Sequence, residues 1–256
     1  MPKLVFVILA TTLSLACNVL LANIQRHKGL DIYFLDTVGG ASTLIVTPLG
    51  ESVLIDTGSR EPLHRDADRI YKACQDASLK QIDYLITTHL HSDHFGGILQ
   101  LSRRILIKCF MDKAAPPNND PVGKVSPIKL HCVAAEKQVE GFGGDIDAPV
   151  EGFEMKKPDN TDNARSIALV LTYGRFKFFA GGDITWNVEH RPAHPVNRAG
   201  KVDLYQITHH GLDQSNNPIL LKALSPAVCV AMSSPKKGIQ PNLPLTQKTT
   251  LIKASI

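Results

Sequence analysis

Thr88-His89-Leu90-His91-Ser92-Asp93-His94-Phe95-Gly96-Gly97 sets three imidazoles and a carboxylate within six positions, directly after the apolar run 82–87. Imidazole nitrogen and carboxylate oxygen are donors that suit zinc first, with manganese and iron as alternatives. In an extended backbone alternate residues share a face, so His89 and His91 point at one ion while Asp93 and His94, past a bend, reach a neighbouring one. The spacing therefore predicts two adjacent divalent ions. The rival reading is a solvated loop rich in histidine, but with 10 histidines in 256 residues a chance cluster of this pattern is rare.

On either side of the motif the chain alternates short strands and helices. Strand-like runs at 31–35, 43–47 and 52–55, separated by Gly39-Gly40 and Pro48-Leu49-Gly50, read as a meander. The third ends in Ile55-Asp56-Thr57-Gly58, a carboxylate at a strand end followed by a glycine that permits a sharp turn. A helix over 62–77, the strand 82–87, a short helix at 98–101 and a strand at 104–110 complete an α/β first half. From 111 to 160 breakers dominate, with one short strand expected at 127–134. A strand over 163–174 then turns at Gly174 into 176–180 and Gly181-Gly182-Asp183. An aspartate at that position can lie between two cations or, on local sequence alone, cap the following Thr185-Trp186-Asn187 segment. A strand at 202–208 runs into His209-His210-Gly211, and a helix at 218–224 and a strand at 227–232 follow. Residues 236–256 read as an irregular tail.

His89-x-His91-x-Asp93-His94 followed by Gly96-Gly97 resembles the metallo-β-lactamase-fold superfamily of binuclear metal hydrolases, over about residues 31–235. The Asn163-x-x-Ser166 strand, its glycine turn, Gly182-Asp183 and His209-His210-Gly211 resemble the branch that holds the β-lactamase-like domain of the DNA-uptake protein ComEC and the choline-phosphate esterases. The resemblance implies a four-layer αβ/βα sandwich, here with the C-terminal outer helix missing or altered, and loops between 111 and 160 that roof the site. It implies two divalent ions, with His89, His91 and Asp183 on one and Asp93, His94, Asp183 and His210 on the other. Asp56 would hydrogen-bond the metal loop, while Asp93 and His209 would meet the reacting groups, with the roles of His209 and His210 open to exchange. Between Asp112 and Asp183 the only histidine is His131, in a strand setting. The His89/His91 ion would then carry fewer histidines than is usual in the superfamily, with Asn163 or water filling the gap.

At 256 residues and 43% apolar side chains the chain can bury one sizeable core. A net charge of +4 with no basic stripe interleaved with aromatics argues against a dedicated nucleic-acid-binding module. Met1-Pro2-Lys3, the apolar run 4–15 and Ser14-x-Ala16 read as a signal peptide over 1–22, cleaved near 16 or 22, ahead of a hydrolase domain at 29–235. Cleavage after Ala16 would leave Cys17 for a lipid anchor, and retention of the run would make it an uncleaved anchor; secretion or a periplasmic location follows. The five cysteines contain no C-x-x-C pair, which argues against a thiolate zinc cluster. One disulfide among Cys74, Cys109, Cys132 and Cys229 is compatible with export, although Cys109 and Cys229 read as buried apolar groups. No G-x-S-x-G elbow is present. The expected function is a metal-dependent hydrolase whose nucleophile is water acidified from a pKa of 15.7 to about 7 between the ions. Phosphoesters, nucleic acid among them, are the first substrate class, β-lactams or lactones the second. A non-catalytic metal-binding exported module is the third reading.

Overall fold

The structure is a computed structural model and describes residues 29–60, 64–113, 127–234 and 251–255. The proposed signal segment and most of the 236–256 tail lie outside these residues. No described helix is long and apolar enough to cross a membrane.

The chain opens with the expected meander: β1 (Asp31–Leu35), β2 (Thr43–Val46) and β3 (Ser52–Ile55). Helix α1 (Arg65–Asp76) leads to β4 (Gln81–Ile86), and the one-turn helix α2 (Ser92–Phe95) carries half of the histidine motif. Helix α3 (Ile98–Ser102) and β5 (Leu106–Met111) close the first half. The second half comprises β6 (Lys129–Ala135), β7 (Gln138–Val139), β8 (Ala168–Tyr173), β9 (Phe176–Ala180), helix α4 (Trp186–Ala193), β10 (Leu204–Gln206), helix α5 (Pro218–Leu224) and β11 (Val228–Val230). A last strand, β12 (Leu251–Ser255), follows.

Two six-stranded sheets result, ordered β12-β1-β2-β3-β4-β5 and β11-β10-β9-β8-β6-β7. Strands β1 to β4 are buried on both faces at most positions, so each face has its own partner. Ile32, Phe34, Ile45 and Ile55 of the first sheet meet Leu130, Leu169, Leu171 and Phe178 of the second in one core. The alternate residues Tyr33, Leu35, Leu44 and Leu54 turn the other way onto Ile70, Ala73 and Cys74 of α1 and Leu101 of α3. Behind the second sheet, Val170, Phe179 and Tyr205 pack on Val188 of α4 and Leu220 and Leu224 of α5. The order helix, sheet, sheet, helix is the four-layer αβ/βα sandwich.

Each sheet contains parallel neighbours whose carboxyl ends open toward the same place. In the first sheet β3 and β4 are parallel, with Ile55 paired to Ile86, so the residues that follow each strand emerge side by side. In the second, β9 and β10 are parallel, with Ala180 paired to Gln206.

Four details depart from the sequence reading. The expected strand 163–174 is split: Asn163–Arg165 form a 3₁₀ turn and β8 starts at Ala168. Ser166 N–H donates to the Asn163 carbonyl, a local bond that replaces a ladder bond. The expected strand 202–208 shortens to β10, because Thr208–Gly211 coil tightly instead. Helix α4 has no counterpart in the sequence reading: six consecutive residues from Asn187 to Pro192 are buried, which leaves no polar face for a helical pattern to show. Finally, the tail expected to be irregular forms β12, antiparallel to β1. Without it the first sheet would present the open N–H and C=O groups of β1 at an edge. Among the described residues no helix follows β11.

Candidate metal centre

The register of β3 against β4 places Asp56 beside Thr88, and a carboxylate there organises the loop. Asp56 Oδ1 accepts from Thr88 N–H at 2.8 Å, and Oδ2 accepts from the Thr88 hydroxyl at 2.7 Å and from His94 Nδ1–H at 2.8 Å. Asp56 adopts φ 60°, a left-handed conformation that Asp tolerates better than most residues. The loop it holds is packed to contact. A Cβ on Gly97 would overlap the Thr57 carbonyl oxygen, and one on Gly182, at φ 53°, would lie 2.9 Å from Thr88 Cβ.

These bonds decide which imidazole nitrogens face inward. His94 donates from Nδ1 to Asp56, so its Nε2 is the free nitrogen. His210 Nδ1 lies 2.7 Å from the Met232 carbonyl, which only accepts, so its Nε2 is free as well. The Thr88 hydroxyl spends its hydrogen on Asp56 and lies 3.2 Å from His89 Nδ1, which makes that nitrogen the donor and leaves Nε2 free. His89 Nε2 is buried and has no hydrogen-bond partner. Three Nε2 lone pairs therefore converge, with His94 and His210 Nε2 3.1 Å apart. Two lone pairs at that separation repel unless a proton or a cation lies between them.

Asp183 enters from the turn after β9. Its Oδ2 lies 3.3 Å from His94 Nε2, 3.4 Å from His210 Nε2 and 3.8 Å from both His89 and His209 Nε2. Asp183 N–H donates to Ser166 Oγ at 3.2 Å. Asp93 Oδ2 approaches His210 Nε2 at 3.4 Å. Donor atoms of His89, His94 and Asp183 form one group within 4.8 Å of one another, and those of Asp93, His94 and His210 form a second.

The electrostatics match an anionic centre that takes up positive charge. Burial opposes a proton on His94, but Asp183 and Asp56 outweigh it and hold the imidazole well above its ordinary range. Burial likewise opposes charge on His210, and Asp183 and Asp93 still raise it. Burial disfavours ionised Asp183, yet His94 and His210 keep its carboxyl well below the usual range. His89 is pushed down to about 4, by burial first and then by the neighbouring His94. In this state a proton supplies the charge that the carboxylates demand, and a divalent cation bound to the same Nε2 atoms would supply more. The donor set and the unpartnered His89 Nε2 both fit such an ion.

His91 falls in neither three-residue group. The alternation that would align it with His89 holds only within β4, and the chain has left the sheet at Ile86; His91 is the residue preceding α2, half-buried, its ring edge-on to His89 with centroids 4.7 Å apart. His131 is remote from the cluster in role, paired instead with Glu140 at 2.6 Å. Asn163 meets His209, its Nδ2 lying 3.1 Å from His209 Nε2, while its Oδ1 is buried without a partner. His209 Nδ1 lies 3.1 Å from Ser215 Oγ, whose hydrogen goes to the Ile184 carbonyl at 2.8 Å.

Several supporting residues escaped the sequence reading. Thr88 and Ser166 stand within the sequence motifs without an assigned role, and they, Ser215 and the Met232 carbonyl all orient site groups. His209 and His210 adopt φ 50° and 56° inside the tight turn 208–211, a strain of about 1–3 kcal/mol each that the surroundings must hold. Glu189 of α4 does part of this, accepting from the Thr208 hydroxyl and from Asn217 N–H at 2.7 Å. Burial pushes its carboxyl up to about 7. Cys74, Cys109, Cys132 and Cys229 are free thiols, with Cys109 only half-buried.

Residues 35–124 match the model of the metallo-beta-lactamase superfamily. Among solved structures, a subclass B3 metallo-beta-lactamase from a soil metagenome, MEM-A1, is 11% identical, with 70% of this chain and 76% of that one covered and a TM-score of 0.45. A metallo-beta-lactamase of Cronobacter sakazakii, a HARLDQ-motif mutant, is 13% identical over 76% of this chain and 69% of that one, with a TM-score of 0.39. A protein of Thermotoga maritima described as a Zn-dependent hydrolase of the metallo-beta-lactamase superfamily is 14% identical over 78% and 73%, with a TM-score of 0.39. The matched segment contains Asp56 and the whole histidine motif, and over it the chain is similar to the metallo-beta-lactamase superfamily.

Proposed function

We propose that this protein is an exported metal-dependent hydrolase of phosphoesters, close in kind to the ComEC-like branch, with nucleic acid among its substrates. The hydrolase fold and the divalent-metal character of the superfamily are its starting point. The observation that carries the reading is the convergence of the His89, His94 and His210 Nε2 lone pairs on Asp183.

His94 has a single free nitrogen and can serve one ion, and His210 and Asp93 claim it by proximity. Asp93, His94 and His210 would hold that ion, and His89 with Asp183 would hold the neighbouring one, zinc being the first choice for this donor set and manganese or iron the alternatives. When bound, such ions supply Lewis acidity toward a phosphoryl or acyl oxygen and acidify water. The chain's own residues do the rest. Asp56 fixes the tautomer of His94, Thr88 that of His89 and the Met232 carbonyl that of His210, so no ring need turn during turnover. His209, tethered at Nδ1 by Ser215, presents Nε2 beside Asp183 as the atom at which a leaving-group proton is held or passed.

The phosphoester class is supported by a neighbouring cavity of about 590 Å³ whose lining includes Lys156, Lys157, Asn160, Trp186, Asn187 and Gln214 together with one carboxylate, Asp159. Ammonium and amide donors suit an anionic ligand, and the volume suits a small one. The cavity is joined to the centre by short stretches of chain: Gln214 precedes Ser215, and Trp186 follows Asp183 by three residues.

The test is elemental analysis of the purified chain run beside hydrolysis of bis(p-nitrophenyl) phosphate and of nitrocefin. About two metals per chain with phosphodiester turnover supports the reading, and nitrocefin turnover alone replaces it with the β-lactam class. Absence of both metal and turnover withdraws the hydrolase in favour of a non-catalytic module. A nucleic-acid substrate would show binding that weakens steeply with salt. Export, with or without a lipid on Cys17, is read from the mass of the mature N-terminus.

A further inference from the structure

His190 lies in the last turn of helix α4, which ends at Ala193, and His194 follows directly in extended backbone. His190 is fully buried, and neither of its ring nitrogens has a hydrogen-bond partner; His194 Nδ1 is also buried without one. A neutral imidazole has one N–H and one lone pair, and a ring with both atoms unpartnered forfeits the bonds it made to water. The ring centroids are 5.0 Å apart with an interplanar angle of 56°. Two imidazoles sharing one ion at metal–nitrogen distances of roughly 2.0–2.1 Å have centroids about 5 Å apart. The His94–His210 pair of the candidate centre shows 5.1 Å and 54°.

We propose that His190 and His194 form a second metal site, separate from the candidate centre, that binds a borderline divalent transition-metal ion such as Zn²⁺, Ni²⁺ or Cu²⁺. Water completes the coordination from the side of His194, which is half-buried. Phe153 covers the pair, its ring 5.1 Å from His190 and 4.6 Å from His194, and gives the site an apolar wall. His190 is ready to ligate, since burial, Arg191 and His194 push its pKa down to about 4 and leave it neutral at pH 7. Among the described residues no carboxylate or third histidine joins the pair to make a three-ligand group, so the ion binds less tightly here than at the candidate centre. It would tie the Phe153 loop to the end of the helix whose Glu189 buttresses the 208–211 turn, a structural rather than a catalytic task.

The chain contains its own reporter. Trp186, the single tryptophan, starts the same helix one turn before His190. Copper(II) titrated into the full chain should quench Trp186 fluorescence in two phases, and His194→Gln should lose the weaker phase and keep the tighter one. Zinc should raise the melting temperature of the wild type through this second phase and fail to do so in His194→Gln. Identical curves for the two proteins would overturn the proposal. Should His194→Gln fail to fold by circular dichroism, the wild type answers alone: substoichiometric copper(II), added after the candidate centre is filled with zinc, should broaden the Phe153 and His190 ring resonances. Sharp resonances under those conditions would also overturn it.

Discussion

The His94–His210 pair and the His190–His194 pair have ring centroids 5.1 and 5.0 Å apart and interplanar angles of 54° and 56°. Their surroundings are opposite. Around the first stand Asp56, Asp93 and Asp183, and the rings are driven toward the protonated state. Around the second stand Phe153 and Arg191, and His190 is driven toward the neutral state. The same two imidazoles at the same distance thus become a charge-accepting centre in one place and a neutral donor pair in the other. Ring geometry sets where an ion fits; the neighbouring charges set how strongly it is wanted.

The sharpest way to break this comparison is Asp183→Ala. Loss of a proposed ligand that also carries the centre's negative charge should cost several kcal/mol of transition-state stabilisation, about a 10³-fold fall in phosphodiester turnover. Copper quenching at His190 and His194 should be unchanged; a simultaneous loss there would mean that the two pairs are one coupled site. Next comes Asp56→Ala, which leaves every metal-facing atom in place and removes the partner of His94 Nδ1. Equilibrium dialysis should show an affinity for zinc about 10–100-fold weaker.

The third prediction uses pH on the metal-free chain. His190, with a folded pKa near 4 against an ordinary 6.5, contributes stability that is present above pH 6.5 and is lost as the pH falls toward 4. His94, raised above 6.5, contributes stability that is present below 6.5 and is lost as the pH rises through its folded value. His190→Phe should therefore be more stable relative to wild type at pH 4 than at pH 7, by on the order of 2 kcal/mol in denaturant unfolding. An unchanged difference across that range would show that His190 is not held neutral. The smallest effect belongs to Phe153→Leu, which keeps apolar cover but loses two ring contacts, about 0.5–1.5 kcal/mol.

Much of the architecture was legible because it is local. Strands β1, β3 and β9 and helix α5 fall where the alternation of apolar and polar residues, the glycine turns and the Asn217-Pro218 start place them. The candidate ligands His89, Asp93 and His94 stood out because a loop between a strand and a one-turn helix is short enough to be contiguous in sequence. What escaped is either non-local or conformational. Thr88 is legible only through the β3–β4 register, and the Met232 carbonyl has no side-chain signature. The left-handed backbone of Asp56, His209 and His210 is imposed by packing, against the ordinary preference of these residues. His91 lies past the end of β4, so the period of two that aligns it with His89 no longer applies, and it stands beside His89 but in neither three-residue group. The His190–His194 pair has no helical signature in the sequence, because His194 lies past the end of α4 in extended backbone and meets His190 only through the path of the chain there.

Strand β12 has one more consequence, for the order in which the molecule can assemble. Its partner β1 is the first strand of the fold, and the two lie at opposite ends of the described sequence. Loop-closure entropy makes such a pairing slow relative to the β1–β2–β3 meander, which needs only tight turns. During folding there is therefore an interval in which the meander and its core face exist while the outer edge of β1 is still open. That interval, more than the finished sandwich, is when the chain is exposed to strand addition by a second copy, and its length is set by how fast residues far downstream arrive to close the edge.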